Sequence, residues 1–334
     1  MTVSMDTSAA PNPVFQETFA DLVGSSNYRG LEIAPQVEIT GNGLSGTYPV
    51  DVRSVTSRDK SAGAYDPAQP MPLMSEPRPT VDSIGSGSVT LDYFTDAYDI
   101  PRVSNLANLG IDGEERAIRK LVKLTTDRHA ILLGEQIGTA ANFATGYKVD
   151  QADLNTSSNL VMGNILTGVQ AVIDWGNGSV SPEDIVIVVN PTIRNLLRKN
   201  DDLRNSLPAG TQSQRINNAT LKAAIADETD GAELITLNSR VVGTGGTEAY
   251  AFGDHIAILV RGGRGELSFC QTFTDSGNGV GGDVGDVAAR AAAMARVEIG
   301  RPGMKDGLQA VAHQYFKVKS DHQKLGYLLY DAAS

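Results

Sequence analysis

Hydrophobic and polar positions along this chain follow two different periods, and one long stretch follows neither. Phe15, Phe19, Leu22 and Val23 recur at helical spacing in an otherwise polar start, which predicts a brief amphipathic helix within an extended N-terminal arm. Residues 36–52 alternate with period two, and so do residues 88–103, where Val89, Leu91, Tyr93, Thr95 and Ala97 share one face. Two alternating runs around a long excursion read as a large two-stranded hairpin with an elaborated tip. The excursion, residues 50–79, is polar and holds Pro67, Pro70, Pro72, Pro77 and Pro79 close together. Proline fixes φ and removes a backbone donor, so this stretch reads as extended polyproline-like chain or loop. Loops beyond about 12–15 residues are uncommon in compact domains unless functional or disordered. An arm of this kind suits a subunit that reaches out to its neighbours.

The strongest helical pattern comes next. Asp112 reads as an N-cap with Glu115 three residues on, a capping-box arrangement, and acidic residues open the first turn where the helix dipole favours them. Ile118, Leu121, Val122, Leu132 and Leu133 supply an apolar stripe that continues to Ala141, a length of about 30 residues or roughly 45 Å. Arg116, Arg119, Lys120 and Lys123 gather on another face, either as a solvated, salt-bridged surface or as a contact for nucleic acid or an acidic neighbour. A second helix is predicted over residues 160–174. The β-branched run 185–191 predicts a buried strand, followed at once by a helix over 192–203. A helix near 219–226, strands near 233–237 and within 249–262, a glycine-rich loop at 275–286 and a closing hairpin over 313–332 complete a mixed α/β pattern. No repeat at a fixed period is present.

Composition narrows the class. The chain has 334 residues, enough for about two domains, with 41% hydrophobic and 20% charged residues. No window approaches the roughly 18 apolar residues of a membrane span. The first residues show neither the basic region nor the apolar stretch of a signal peptide. Cys270 is the only cysteine, which excludes intramolecular disulfides and cysteine-based zinc sites. Sequons at Asn155, Asn177 and Asn218 therefore carry little weight. The formal net charge of −11 argues against a dedicated DNA-binding domain, because affinity for phosphates comes from clustered Lys and Arg. Any contact with DNA is expected to be sparse, salt-sensitive and blind to sequence. Glycine, 35 of 334, exceeds its usual share of about 7% and predicts many tight turns.

Candidate chemistry is thin. Gly41, Gly43 and Gly46 match a dinucleotide-binding spacing, but Pro49 and a strand-like pattern follow where the pattern needs a helix. Gly277, Gly279 and Gly282 match it too, with Asp283 and Asp286 placed where a phosphate would have to sit. The oxygen ligands Asp275, Asn278, Asp283 and Asp286 fail the calcium-loop pattern, since glycine stands at its third position and the bidentate glutamate is missing. His129, His255, His313 and His322 show no tight ligand spacing, and no Gly-x-Ser-x-Gly elbow is present. The expectation is no catalytic, cofactor-binding or metal-binding residues, and hence no enzyme.

In order, these elements resemble the major capsid protein of tailed bacteriophages, the Hong Kong phage fold. The resemblance rests on residues 98–143, similar to the family's lead into its spine helix, and on residues 185–203, similar to the strand, Asn-Pro and Leu-rich helix of its axial domain. It implies an α+β fold with an N-terminal arm (1–35), an extended β-hairpin loop (36–97), a peripheral domain with the long spine helix (98–180), an α/β axial domain (181–287) and a C-terminal return to the peripheral domain (288–334). It also implies an icosahedral shell of hexamers and pentamers around double-stranded DNA, built in the host bacterial cytoplasm and ending in the virion. Expected partners are other copies of the chain, portal and scaffold proteins, cement or decoration proteins, and packaged DNA, with no membrane. The alternatives are an encapsulin-like compartment shell and a soluble enzyme with an unrecognised site. Some members of the family crosslink through a lysine on the extended loop. Lys60 lies near the tip of the arm, but no partner asparagine or promoting acid matches, so that chemistry is not carried over. No long helical prodomain precedes the arm, so a scaffold within the chain is not expected.

Overall fold

The computed structural model describes residues 13–24, 28–39, 44–50, 85–100, 113–176, 180–207, 216–242, 246–261, 268–275, 294–300, 308–320 and 322–333. The first elements are α1 (Pro13–Gly24), the single turn α2 (Gly30–Ile33), β1 (Gln36–Ile39), β2 (Ser45–Val50), β3 (Gly85–Thr90) and β4 (Asp92–Ile100). They are followed by α3 (Gly113–Gly138), β5 (Lys148–Asp150), α4 (Met162–Gly176), β6 (Ile185–Val189), α5 (Pro191–Leu197), α6 (Asp201–Asn205), α7 (Asn218–Glu228) and β7 (Glu233–Thr236). The remainder are β8 (Arg240–Val242), β9 (Glu248–Tyr250), β10 (Ile256–Val260), β11 (Cys270–Asp275), β12 (Ala295–Gly300), β13 (Leu308–Ser320) and β14 (Gly326–Tyr330).

Two mixed sheets organise these elements. In the first, β4 runs antiparallel along one edge of the long β13 and β12 along the other. β11 pairs with the last stretch of β13, and β1 joins β11 in parallel. The spine helix α3 lies across β13 and β4, and α1 packs on α3. The second sheet has the order β5-β14-β10-β6-β7. Every residue of β6 and β10 is buried, the continuous apolar pattern of strands covered on both faces. Asn190 ends β6 and caps α5: its Oδ1 accepts the Ile193 N–H at 2.7 Å, and its Nδ2 donates to Gly253 O and Asp254 Oδ1. Pro191 then occupies the first helical turn, where its missing N–H costs nothing. One contiguous core runs through both sheets.

Two glycines let these layers approach. A methyl group on Gly168 of α4 would lie 2.5 Å from Ile258 Cδ1 and 2.8 Å from Tyr327 Cδ1, so the helix seats directly on the second sheet. On Gly138, the last residue of α3, it would lie 2.5 Å from the Phe252 carbonyl oxygen. That contact joins the end of the spine helix to the backbone leading into β10.

Several expectations are revised. The alternating runs 36–52 and 88–103 do not form one long hairpin. Only β2 and β3 pair with each other, while β1 and β4 belong to the first sheet. The inward face also changes at Leu91. Val89 and Leu91 are buried, but Tyr93, Thr95 and Ala97 are exposed and the alternate residues turn inward. The reason is electrostatic: Asp96 receives both terminal nitrogens of Arg128 from α3, at 2.7 and 2.9 Å, and the Arg128 guanidinium lies 4.6 Å from the Phe94 ring centroid. α3 spans 26 residues, about 39 Å, and stops before Ala141; the Asp112 cap lies outside the described residues. The helix expected over 192–203 is two, because Asn200 is buried and its Oδ1 accepts the N–H groups of Asp202 and Leu203, starting α6 afresh. The closing hairpin is not one either. β13 belongs to the first sheet and β14 lies between β5 and β10 of the second, so the end of the chain sits in the second sheet. The excursion and its five prolines lie outside the described residues.

Candidate functional site

The first candidate is the place where the N-terminal segment meets the spine helix. Helical spacing puts Thr125, Thr126 and His129 on the buried stripe of α3 between Leu121 and Leu133. Each must therefore find a partner inside the protein. The two threonines donate to the carbonyls of Leu121 and Val122 one turn back. His129 is fully buried and bridges two other elements. Its Nδ1 accepts from the Tyr28 hydroxyl, and its Nε2 lies 2.7 Å from Thr272 Oγ1 of β11. Thr272 in turn donates to Ala34 O at 3.0 Å. Donation runs one way, Tyr28 to His129 to Thr272 to Ala34, which fits a neutral imidazole carrying its proton on Nε2. Burial holds the His129 pKa down at about 3 and raises that of Tyr28 well above its usual value. His129 is thus a neutral strut joining residues 28–34, α3 and the first sheet.

The second candidate is an ionic junction beside it. Glu233 at the start of β7 accepts from Arg29 on one side and, at 2.9 Å, from Arg261 just after β10 on the other. Arg29 also pairs with Glu32, and Arg261 donates to Glu183 O. The Arg29 hydrogen bond is the main cause that holds the Glu233 carboxyl below its ordinary range, aided by Arg261, and it raises the Arg29 pKa in turn. The junction borders an open cleft of about 560 Å³ whose walls include Tyr28, Arg29, Asp127, Arg194, Lys222 and the end of β7. Asp127 is raised by burial, opposed by Lys123. Arg29, Arg261 and Glu233 thus join residues 28–34 to the second sheet as a polar seam.

The remaining sequence candidates are dispersed. His255 is half-buried and accepts the Asp331 N–H, with burial lowering its pKa against the pull of Asp331 and Asp254. His313 stacks on Tyr93 and bonds its hydroxyl at 2.8 Å, and His322 tilts against Trp175. Among the described residues no group of three or more His, Cys, Asp or Glu could hold a metal ion. Asp275 ends β11, while Asn278, Asp283, Asp286 and the glycines 277, 279 and 282 lie outside the described residues; so do Gly41, Gly43 and Lys60. Gly46 lies in β2. On the cationic face of α3, Arg119 pairs with Glu115 and Lys120 lies over the Tyr98 ring at 4.8 Å, whereas Arg116 and Lys123 are exposed. Cys270 is buried.

The root of the hairpin is built separately. Ile39, Val89, Leu91 and Phe273 form a small buried cluster beside the main core, and the Leu91 N–H donates to Leu44 O at 2.7 Å. β2 and β3 are thereby seated on β1 and β11 before the chain leaves into the excursion.

Sequence reasoning missed Tyr28, Arg29, Glu233 and Arg261, because no local pattern marks partners that lie 28 to 204 positions apart. His129 could have been found, since it continues the 3–4 residue spacing of the spine stripe.

No family model matches the chain, and no curated protein matches it in sequence. Solved structures do match. A phage-related protein from Bordetella bronchiseptica superposes with a TM-score of 0.67 at 13% identity, covering 97% of this chain and 98% of that one. The capsid of the cyanophage P-SCSP1u superposes with a TM-score of 0.50 at 11% identity, covering 91% of this chain and 88% of that one. At such identities the likeness is one of fold, and the chain has the tailed-phage major capsid fold over nearly its whole length.

Proposed function

We propose that this chain is a structural, non-catalytic subunit that assembles with its own copies into an icosahedral shell of hexamers and pentamers enclosing double-stranded DNA. The observation that carries the reading is the full-length fold match, which spans both sheets and the spine helix. Three features of the chain agree with it. The hairpin has a buried root of its own, so an extension can be held while its tip reaches elsewhere. The polar groups in the core serve as struts between elements. The net charge of −11 favours solubility at high local concentration. On this reading the shell forms in the host bacterial cytoplasm and becomes the head of a virion. A portal, a separate scaffold and decoration proteins are its partners, and DNA is met without sequence preference.

The test is sizing and negative-stain microscopy of native material from producing cells, followed by extraction of the particle contents. Arms that wrap neighbours bury obligate interfaces on the order of 2,000–5,000 Å² or more, so a megadalton closed particle is expected. Double-stranded DNA inside it supports a phage head, and protein cargo without DNA would mark a compartment shell. A stable monomer near 35 kDa as the only native species overturns the proposal.

A further inference from the structure

The end of α5 and the helix α6 carry charges that the described residues leave largely uncompensated. Arg198, Lys199 and Arg204, from the end of α5 through α6, line an open groove of about 320 Å³ together with Asn195 and Ile216. Arg198 spends its Nε on the Ile216 carbonyl, at 2.7 Å, and its terminal nitrogens have no acceptor among the described residues. Among the described residues Arg204 reaches only Asp201, loosely at 3.6 Å, and its buried Nε has no partner. Lys199 is exposed and forms no ion pair among the described residues. Of the two acids of α6, Asp202 is committed elsewhere and Asp201 is shared. Asp202 accepts the Val161 and Met162 N–H groups at the start of α4, and Asp201 accepts from Ser157. Residues 208–215 bring Arg215 and no acid.

The complementary charge sits at the other end of α7. This helix starts two residues after Ile216 and ends at Glu228, a span of 11 residues or about 16 Å. Asp227, Glu228 and Asp230 are all exposed there and form no ion pair among the described residues. Their placement works against the helix, because acids at a C-terminus oppose the macrodipole. Charges that weaken their own helix and find no partner among the described residues are suited to a partner on another copy. A head-to-tail contact between identical copies needs two different, complementary patches on one chain, and this chain has them about one helix length apart.

We infer that the groove of Arg198, Lys199 and Arg204 receives the acidic end of α7, with Asp227 and Glu228, from an adjacent copy, so that the second sheets of neighbouring subunits link head to tail. This rests on the shell reading and specifies one of its contacts. The test uses full-length chains and counts particles. Lys199→Glu alone, and Asp227→Lys with Glu228→Lys, should each cut particle yield by about tenfold or more, the change expected when roughly 1.4 kcal/mol is lost at a contact. Combining all three substitutions should restore yield. A second variant, Lys199→Cys with Asp227→Cys, should give a ladder of covalent oligomers on oxidation of assembled material, and it reports on the contact even where charge reversal harms folding. Normal yield from both reversed variants, with no ladder, overturns the inference and leaves the shell reading standing. So does normal yield with loss of retained DNA, which would make the groove a nucleic-acid surface. A wild-type chain that never leaves the monomer overturns the shell reading and this contact with it.

Discussion

A neutral imidazole buried in the middle of the spine helix couples the stability of this chain to pH. The ordinary value for histidine is 6.5, and burial lowers that of His129 to about 3. Between those values the unfolded chain takes up a proton that the folded chain refuses. Stability is therefore complete above about pH 6.5 and falls as pH drops towards 3, at about 1.4 kcal/mol per pH unit. By pH 5 the loss should reach about 2 kcal/mol. Glu233 acts lower down: its pKa lies below 4.5 when folded, so the stability it contributes is lost only as pH falls beneath that value. The separation gives a clean test. His129→Gln keeps an amide that can accept and donate but cannot take the proton, so the fall in melting temperature between pH 6.5 and 5 should become shallower, with the remainder coming from His255, whose pKa burial also lowers. An unchanged slope in that window would remove His129 from the account.

At the scale of elements, close approach matters more than propensity. Gly138 ends the spine helix against the Phe252 carbonyl, and a methyl group 2.5 Å from a backbone oxygen leaves nothing soft to give way. Gly138→Ala should cost about 1–3 kcal/mol in denaturant unfolding, as overpacking does. Gly163 in α4 has nothing within 4 Å of the same added carbon, so Gly163→Ala should be neutral or slightly stabilising and serves as the control. Elements with a strong local signature were legible beforehand. The run Ile185–Val189, the Asn-Pro that caps α5 and the apolar stripe of α3 all announce themselves within a few residues. The facing of β4 was not legible, since Phe94, Asp96 and Tyr98 turn inward to meet cations of α3 that a strand cannot reveal about itself. The break at Asn200 had a signal that periodicity overrode: an Asn followed by two Asp is a helix start. The junction at Glu233 had none, because its arginines come from positions 29 and 261.

At the scale of the molecule, the proposed shell gives the excursion between β2 and β3 a role that can be tested. Met71, Leu73 and Met74, outside the described residues, are the sizeable apolar group near the middle of the excursion. Burying such side chains on a neighbour is worth roughly 1.5–3 kcal/mol each. Their joint replacement by Ser should leave the melting temperature of the isolated subunit unchanged while lowering the yield and heat resistance of shells. Shells of normal yield and stability from that variant would rule the excursion out as a clasp. The attachment of the hairpin carries a further consequence, a mechanical one. β3 passes through Leu91 straight into β4, and all nine residues of β4 are laddered to β13. Ladder bonds in an antiparallel pair lie perpendicular to the strands. A pull on β3 directed along β4 would load its bonds to β13 in shear, all together, instead of peeling them one by one. β13 spreads that load sideways into β11 and β12. A tug in that direction would be resisted by the first sheet through β13, as a lap joint resists tension that would open a zip.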